Sequence, residues 1–191
     1  MPSQEFLSAT KLGPPDVLLA KAVSLTPKKE LALDLGCGSG KDTRFLLETG
    51  FQVIAVDKDP KVEEFLEALP HQEKLKVVIS SFEDFKFETY DLINARFSLP
   101  FVAPQNFPTI LQKIKSSLNQ EGTFIGQLFG ERDAWNKGDE TKNFHSAQQA
   151  RHLFQDLDVV DFIEIEYDGF ANLGAEAKHW HVFHIIARKK T

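Results

Sequence analysis

Hydrophobic positions along the chain fall into two alternating patterns. Near-continuous apolar runs, as expected of strands covered on both faces, occupy 31–35, 52–56, 75–80, 90–95 and 123–129, and Asp34 is the one acid in the first of them. Between them apolar residues recur every three or four positions, the period of a helix with one buried face. The first such segment carries Val17, Leu18, Ala20 and Val23 behind an N-cap at Asp16, and Pro27 closes it. The second has Phe45, Leu46 and Leu47 behind a Ser39–Asp42 capping-box spacing and ends at Gly50. Asp59-Pro60 opens a third, with Val62, Phe65, Leu66 and Leu69 on one face. A fourth stripe runs Phe107, Ile110, Leu111, Ile114, Leu118, and a Ser146–Gln149 capping box opens a fifth with Ala150, Leu153 and Phe154.

Strands alternating with helices predict a parallel sheet built from right-handed crossovers. Two further strands, 159–167 and 179–187, are joined by a stretch that has Gly169 and Gly174 but no helical stripe, so the last strand is expected to run antiparallel to its predecessor. Alternation in Ile163, Glu164, Ile165 and Glu166 predicts one solvated face near a sheet edge. The expected fold is α/β and Rossmann-like: a seven-stranded, mostly parallel sheet with a reversed last strand and helices on both faces. At 191 residues one domain is expected, with 1–28 as a helical cover and 130–145 as a lid loop.

Composition narrows the function. An apolar share of 42% and a charged share of 26% exclude a disordered or fibrous chain. A net charge of −6 argues against a broad duplex-binding face, which leaves a small molecule as the expected partner and no nucleic acid. Cys37 is the sole cysteine, so no internal disulfide or multi-cysteine zinc site can form, as suits a reducing cytoplasm. Neither a signal-peptide core nor an apolar run near the ~20 residues of a membrane span is present, so no membrane partner is expected.

The chemistry concentrates where the first strand ends, in Asp34-Leu35-Gly36-Cys37-Gly38-Ser39-Gly40. Glycines there let the backbone turn tightly and a ligand approach the main chain, and the helix that follows presents N–H groups to an anion. One βαβ unit later Asp57 ends the second strand, where an acid can accept from both hydroxyls of a ribose. The spacing disfavours NAD and ATP. Lys41 stands where a dinucleotide fingerprint needs its third glycine, and no phosphate-loop motif occurs.

Leu33-Asp34-Leu35-Gly36-Cys37-Gly38-Ser39-Gly40 followed by Val53-Ile54-Ala55-Val56-Asp57 resembles the first two motifs of class I S-adenosylmethionine-dependent methyltransferases, closest to the small bacterial tellurite-resistance and thiopurine type. The resemblance implies that Asp34, Gly36, Cys37 and Gly38 hold the methionine end of S-adenosylmethionine and Asp57 its ribose. Lys58 would flank the adenine, with Phe82 packing on it and Glu83 accepting from its amine. Many family members have an acid where this chain has Ser81, which leaves Ser81, Glu83 and Asp84 as alternatives for the amine. Asn94, Ala95 and Arg96 would lie beside the transferred methyl. In the tetrad Asn94-Ala95-Arg96-Phe97 both prolines of the nucleic-acid amino methyltransferases are missing.

Methyl transfer from a sulfonium is an in-line displacement that needs alignment above all, so no catalytic residue is singled out. Phe97 and Phe101 in a phenylalanine-rich stretch, and Arg132 and Trp135 in the 130–145 segment, are candidates for the acceptor wall. An antiparallel last strand would begin at the ligand edge, which adds His179 as an acid, base or contact. His179 and His181 have no further ligand cluster, so no metal is expected. Cys37, between two glycines, reads as small-residue packing rather than a nucleophile. The expected function is methylation of a small molecule by a monomer or homodimer. The alternatives are a non-catalytic S-adenosylmethionine-binding sensor or partner subunit and, against the spacing, a nicotinamide oxidoreductase.

Overall fold

The computed structural model describes residues 15–138, 140–171 and 176–190 together with Glu5, Ser8 and Gly13. Five parallel strands form one side of a single sheet: β1 (Leu31–Leu35), β2 (Gln52–Asp57), β3 (Leu75–Ile79), β4 (Tyr90–Ala95) and β5 (Leu118–Gly130). A two-residue strand, β6 (Phe144–His145), pairs parallel with the end of β5 beyond the reach of β4. An antiparallel hairpin, β7 (Asp158–Ala171) and β8 (Glu176–Arg188), completes the order β3-β2-β1-β4-β5-β8-β7. The expected sheet and its reversed last strand are present, and β6 makes the count eight.

Helices cover both faces. On one, α1 (Val17–Leu25), α2 (Lys41–Glu48) and α3 (Val62–Leu66) bury Leu19, Leu46 and Leu66 against Ala32, Leu92, Ile125 and Ile186 of the sheet. On the other, α4 (Phe107–Ser116) and α5 (Ala147–Leu153) bury Ile110, Ile114 and Ala150 against Leu33, Ile93, Phe124 and Phe183. Every residue of β4 is buried, and its polar side chains Asp91 and Asn94 are partnered, Asp91 accepting from the Glu30 and Leu31 N–H groups and Asn94 donating to Asp34. Asp16 caps α1 by accepting from the Leu18 N–H at 2.8 Å, and Ser146 and Gln149 form the reciprocal capping box of α5. No helix among the described residues is long and apolar enough to cross a membrane.

Three local expectations need correction. The Ser39–Asp42 capping box does not form: Gly40 is the N-cap of α2 at φ +77°, and the Asp42 carboxylate turns to Asn94 and Arg96. A Cβ at Gly40 would stand 2.5 Å from Leu66, so glycine answers both the angle and the crowding. Much of the stretch expected as a loop between the last two strands is strand, because β7 runs on to Ala171 and β8 starts at Glu176, and 172–175 lie outside the described residues. Finally, β7 is the sheet edge, but both of its faces are accessible: Ile163 and Ile165 are exposed, while Glu164 and Glu166 on the other face are tied to Arg132.

The sheet order reverses between β1 and β4, which run side by side while their crossovers lead to opposite edges. Open α/β sheets bind ligands beyond the carboxyl ends of the strands at such a switch point. Asp34 pairs with Asn94 in that register.

Candidate functional site

Beyond β1 the chain turns through Gly36 and Gly38, both at positive φ (+77° and +51°), and the N–H groups of Gly36 and Cys37 both donate to the Val56 carbonyl. A Cβ at Gly36 would lie 2.5 Å from the Ser98 Cβ and 3.7 Å from the Phe82 ring, so bare backbone is what lets the loops after β3 and β4 close on the turn. Cys37 is buried among the apolar residues under α2 and α3, and burial, helped by Asp34 and Asp57, holds its thiol well above the usual range. It packs.

Asp57 ends β2 beside this turn. Its Oδ2 accepts from the Gly38 N–H at 3.0 Å and its Oδ1 from the Asp59 N–H at 3.0 Å. Each oxygen thus spends one lone pair on the main chain and keeps another. Both main-chain bonds hold the carboxylate against the glycine turn.

An acidic pair, Asp34 buried and Asp42 half-buried, lies at the switch point. Asp34 Oδ1 accepts from the Asn94 amide at 2.8 Å, and its Oδ2 accepts from the Thr43 hydroxyl at 2.5 Å. The same Asn94 amide donates to Asp42 at 3.2 Å. Burial foremost, then the neighbouring Asp42 carboxylate, pushes Asp34 up to about 7 despite the bonds from Thr43 and Asn94. Arg96 reaches in from the loop after β4, 2.7 Å from Asp16 and 3.6 Å from Asp42. Phe97 follows at φ +53°, more than half exposed, with the Arg96 guanidinium 5.1 Å from its ring centre. Left-handed backbone at a bulky residue is strained and is found preferentially at functional sites.

The adenine candidates differ in surroundings. Phe82 packs on the core beside Gly36. Lys58 is exposed one residue beyond Asp57. Glu83 faces α4 and accepts from Asn106 at 2.9 Å, while Ser81 donates to Asp84 at 2.7 Å, which leaves Asp84 as an acid next to the end of β3.

The candidate wall residues divide between the two faces of the sheet. Phe101 is exposed on one side and packs edge-on against Phe129 (5.5 Å) and Trp135 (6.2 Å). Trp135 also contacts Trp180 at 5.5 Å, and Lys178 lies beneath these rings, 3.5 Å from Trp180 and 4.1 Å from Trp135. The Lys178 ammonium is wholly enclosed with Asp133, 2.6 Å away, and Asp133 also accepts from the Trp135 and His181 N–H groups. The turn that carries Asp133, Ala134 and Trp135 is therefore pinned to β8. Arg132 and His179 lie elsewhere. Arg132 bonds Glu164 and Glu166 at 2.9 and 2.7 Å, and His179 bonds Asp168 and Glu166 at 2.7 and 2.9 Å, all on the α4–α5 side of the hairpin. Those carboxylates hold the exposed His179 above the usual histidine range.

Two residues of the ligand side escaped the sequence-based list. Gln127 of β5 stands opposite His184 of β8, and Arg96 continues the β4 register in which Ala95 pairs with Gly126. His184 lies close enough to Arg96 and Asp16 for their charges to act on it, and burial followed by Arg96 lowers its pKa. Nothing in a single strand's alternation told these positions from ordinary core.

Comparison with known proteins agrees with this geometry. Residues 32–122 match the family model described as a methyltransferase domain. Carboxy-S-adenosyl-L-methionine synthases are similar: that of Shewanella piezotolerans is 29% identical over 118 residues, 56% of this chain and 48% of its own, and that of Klebsiella pneumoniae 25% identical over 135 residues, 66% and 54%. The chain thus spans about half the length of these curated relatives. Among solved structures, TehB from Haemophilus influenzae superposes with a TM-score of 0.78 at 18% identity, covering 97% of this chain and 66% of TehB. A Burkholderia thailandensis 1,6-didemethyltoxoflavin N1-methyltransferase, solved with that compound and S-adenosylhomocysteine, gives 0.66 at 20% identity over 92% and 79%. At these identities the superpositions speak for the fold. Residues 32–122 are thus similar to a methyltransferase domain, and the sheet that continues past them completes the fold that the chain shares with these solved structures.

Proposed function

We propose that the protein transfers a methyl group from S-adenosylmethionine to a small-molecule acceptor. Bound in the site, S-adenosylmethionine supplies an electrophilic methyl on a sulfonium. The observation that carries the reading is Asp57: a fixed carboxylate beside bare glycine backbone, with one lone pair free on each oxygen, suits a ribose diol. Asp34 and Asp42 suit the methionine ammonium, since a cation there relieves two carboxylates held together by one amide. The unpartnered Oδ1 of Asn94, buried at the same point, supports a polar ligand. Phe82 would pack on the adenine and Asp84, with Ser81, would meet its amine. What the chain contributes to the transfer itself is alignment, held by the rigid ends of β1 and β4.

A small acceptor is favoured over nucleic acid by the acidic balance of the chain and by a strand-four tetrad without prolines. Calorimetric titration with S-adenosylhomocysteine and NAD tests the cofactor half: binding of the first and not the second is expected, and the reverse would overturn it. Methyl transfer to members of a small-molecule panel, with none to duplex DNA, RNA or protein, is the expected result for the acceptor half. Transfer to a polymer alone would overturn it.

A further inference from the structure

Besides Oδ1 of Asn94, polar atoms on the ligand side that are buried without a hydrogen-bond partner among the described residues include Nε2 and Oε1 of Gln127, Nε of Arg96, Oγ of Ser98 and Nδ1 of His184. Folded proteins satisfy the great majority of such groups, so a cluster of them beside a ligand site calls for a ligand. Three of the residues are neighbours: Gln127 and His184 face each other across β5 and β8, and Arg96 extends β4 toward them, while Ser98 lies by the glycine turn against Gly36. Phe129, two residues beyond Gln127 and therefore on the same face, carries the exposed ring of Phe101 edge-on at 5.5 Å. A polar row is thus bordered by aromatic surface.

Extending the cofactor reading above, on which it rests, we propose that Gln127, His184 and Arg96 form the acceptor subsite, and that it takes a flat, uncharged ring bearing an N–H next to a C=O. The side-chain amide of Gln127 offers a donor and an acceptor side by side, the complement of a cyclic amide edge. An anion suits the row poorly, because Arg96 is already neutralised by Asp16 and Asp42, and Lys178, against the Phe129 ring, by Asp133. The Phe101 and Phe129 rings suit a planar ligand.

The probes are 2-pyridone, which has that edge, N-methyl-2-pyridone, which lacks the donor, and selenite and benzylamine as charged controls. Each is titrated by NMR into the full chain saturated with S-adenosylhomocysteine, following the His184 ring signals. The expected result is 2-pyridone binding at least tenfold tighter than N-methyl-2-pyridone, with little response to the charged probes. Gln127→Leu should abolish the preference and leave S-adenosylhomocysteine affinity unchanged. Gln127→Met, closer in shape, gives the same comparison if leucine disturbs folding. Equal binding of the two pyridones, preference for a charged probe, or a preference that survives both substitutions would overturn the subsite while leaving the cofactor reading intact. Should S-adenosylhomocysteine fail to bind while the pyridone preference persists, the cofactor reading falls and the subsite stands.

Discussion

Asn94 lies between two carboxylates, giving one amide hydrogen to Asp34 at 2.8 Å and the other to Asp42 at 3.2 Å. One neutral side chain thereby holds together two acids that would repel, at the junction where β1 and β4 part.

Stability should therefore depend on pH in a defined sense. Asp34 is raised to about 7 from an ordinary value of 3.8, so between these values the folded protein binds more protons than the unfolded one. The stabilising contribution is complete below the ordinary value and is lost as pH rises through 7. Calorimetric melting of the ligand-free protein is expected to show a fall in Tm from about pH 4 to about pH 7 that levels off above it, with a shallower fall in Asp34→Asn and in the presence of S-adenosylhomocysteine. A profile equally steep in all three would contradict the assignment.

Asp57→Ala should weaken S-adenosylhomocysteine binding by about 1–3 kcal/mol, the worth of charge-assisted hydrogen bonds. The two main-chain N–H groups of Gly38 and Asp59 lose their acceptor as well, so the turn loosens. Isothermal titration measures it, and unchanged affinity would refute the ribose role.

Gly36→Ala places a Cβ 2.5 Å from that of Ser98 at φ +77°. Overpacking costs about 1–3 kcal/mol and left-handed backbone about 1–2 kcal/mol more. Ser98→Gly in the same chain removes the overlap and not the backbone strain, so denaturant unfolding should recover only the first share. Full recovery would mean that φ at Gly36 carries no strain.

Lys178→Met leaves Asp133 charged, enclosed and short of its cation, although the Trp135 and His181 N–H groups remain. Breaking one side of a buried pair costs about 3–5 kcal/mol. A second change, Asp133→Asn, keeps an oxygen for those N–H groups and removes the charge, and should restore part of the loss. The urea midpoint at constant slope reads both effects.

Much of this was legible in the chain, for local reasons. The limits of β4 follow from an apolar run that must be covered on both faces, and the start of α5 from a capping box whose two partners are three residues apart. The glycine turn and Asp57 could be found because short spacing fixes their geometry. What escaped depends on register. Gln127 and His184 are 57 positions apart in number yet opposite in space, and only the pairing of β5 with β8 puts them on the face of Arg96. The same parity sends His179 to the other face, opposite Asp168. Likewise Asp42 could be read as a cap only while its long-range partners, Asn94 and Arg96, were unseen.

The enclosure of Lys178 decides which wall of the site can give way. To swing outward, the turn carrying Asp133 and Trp135 would have to drag an ammonium out from between aromatic rings and strand its counter-charge. That hinge is in effect riveted shut. At the opposite rim no such clamp is in view among the described residues: Asp16 opens the first helix beside Arg96 with its carboxylate partly exposed, and the strained Phe97 stands in solvent.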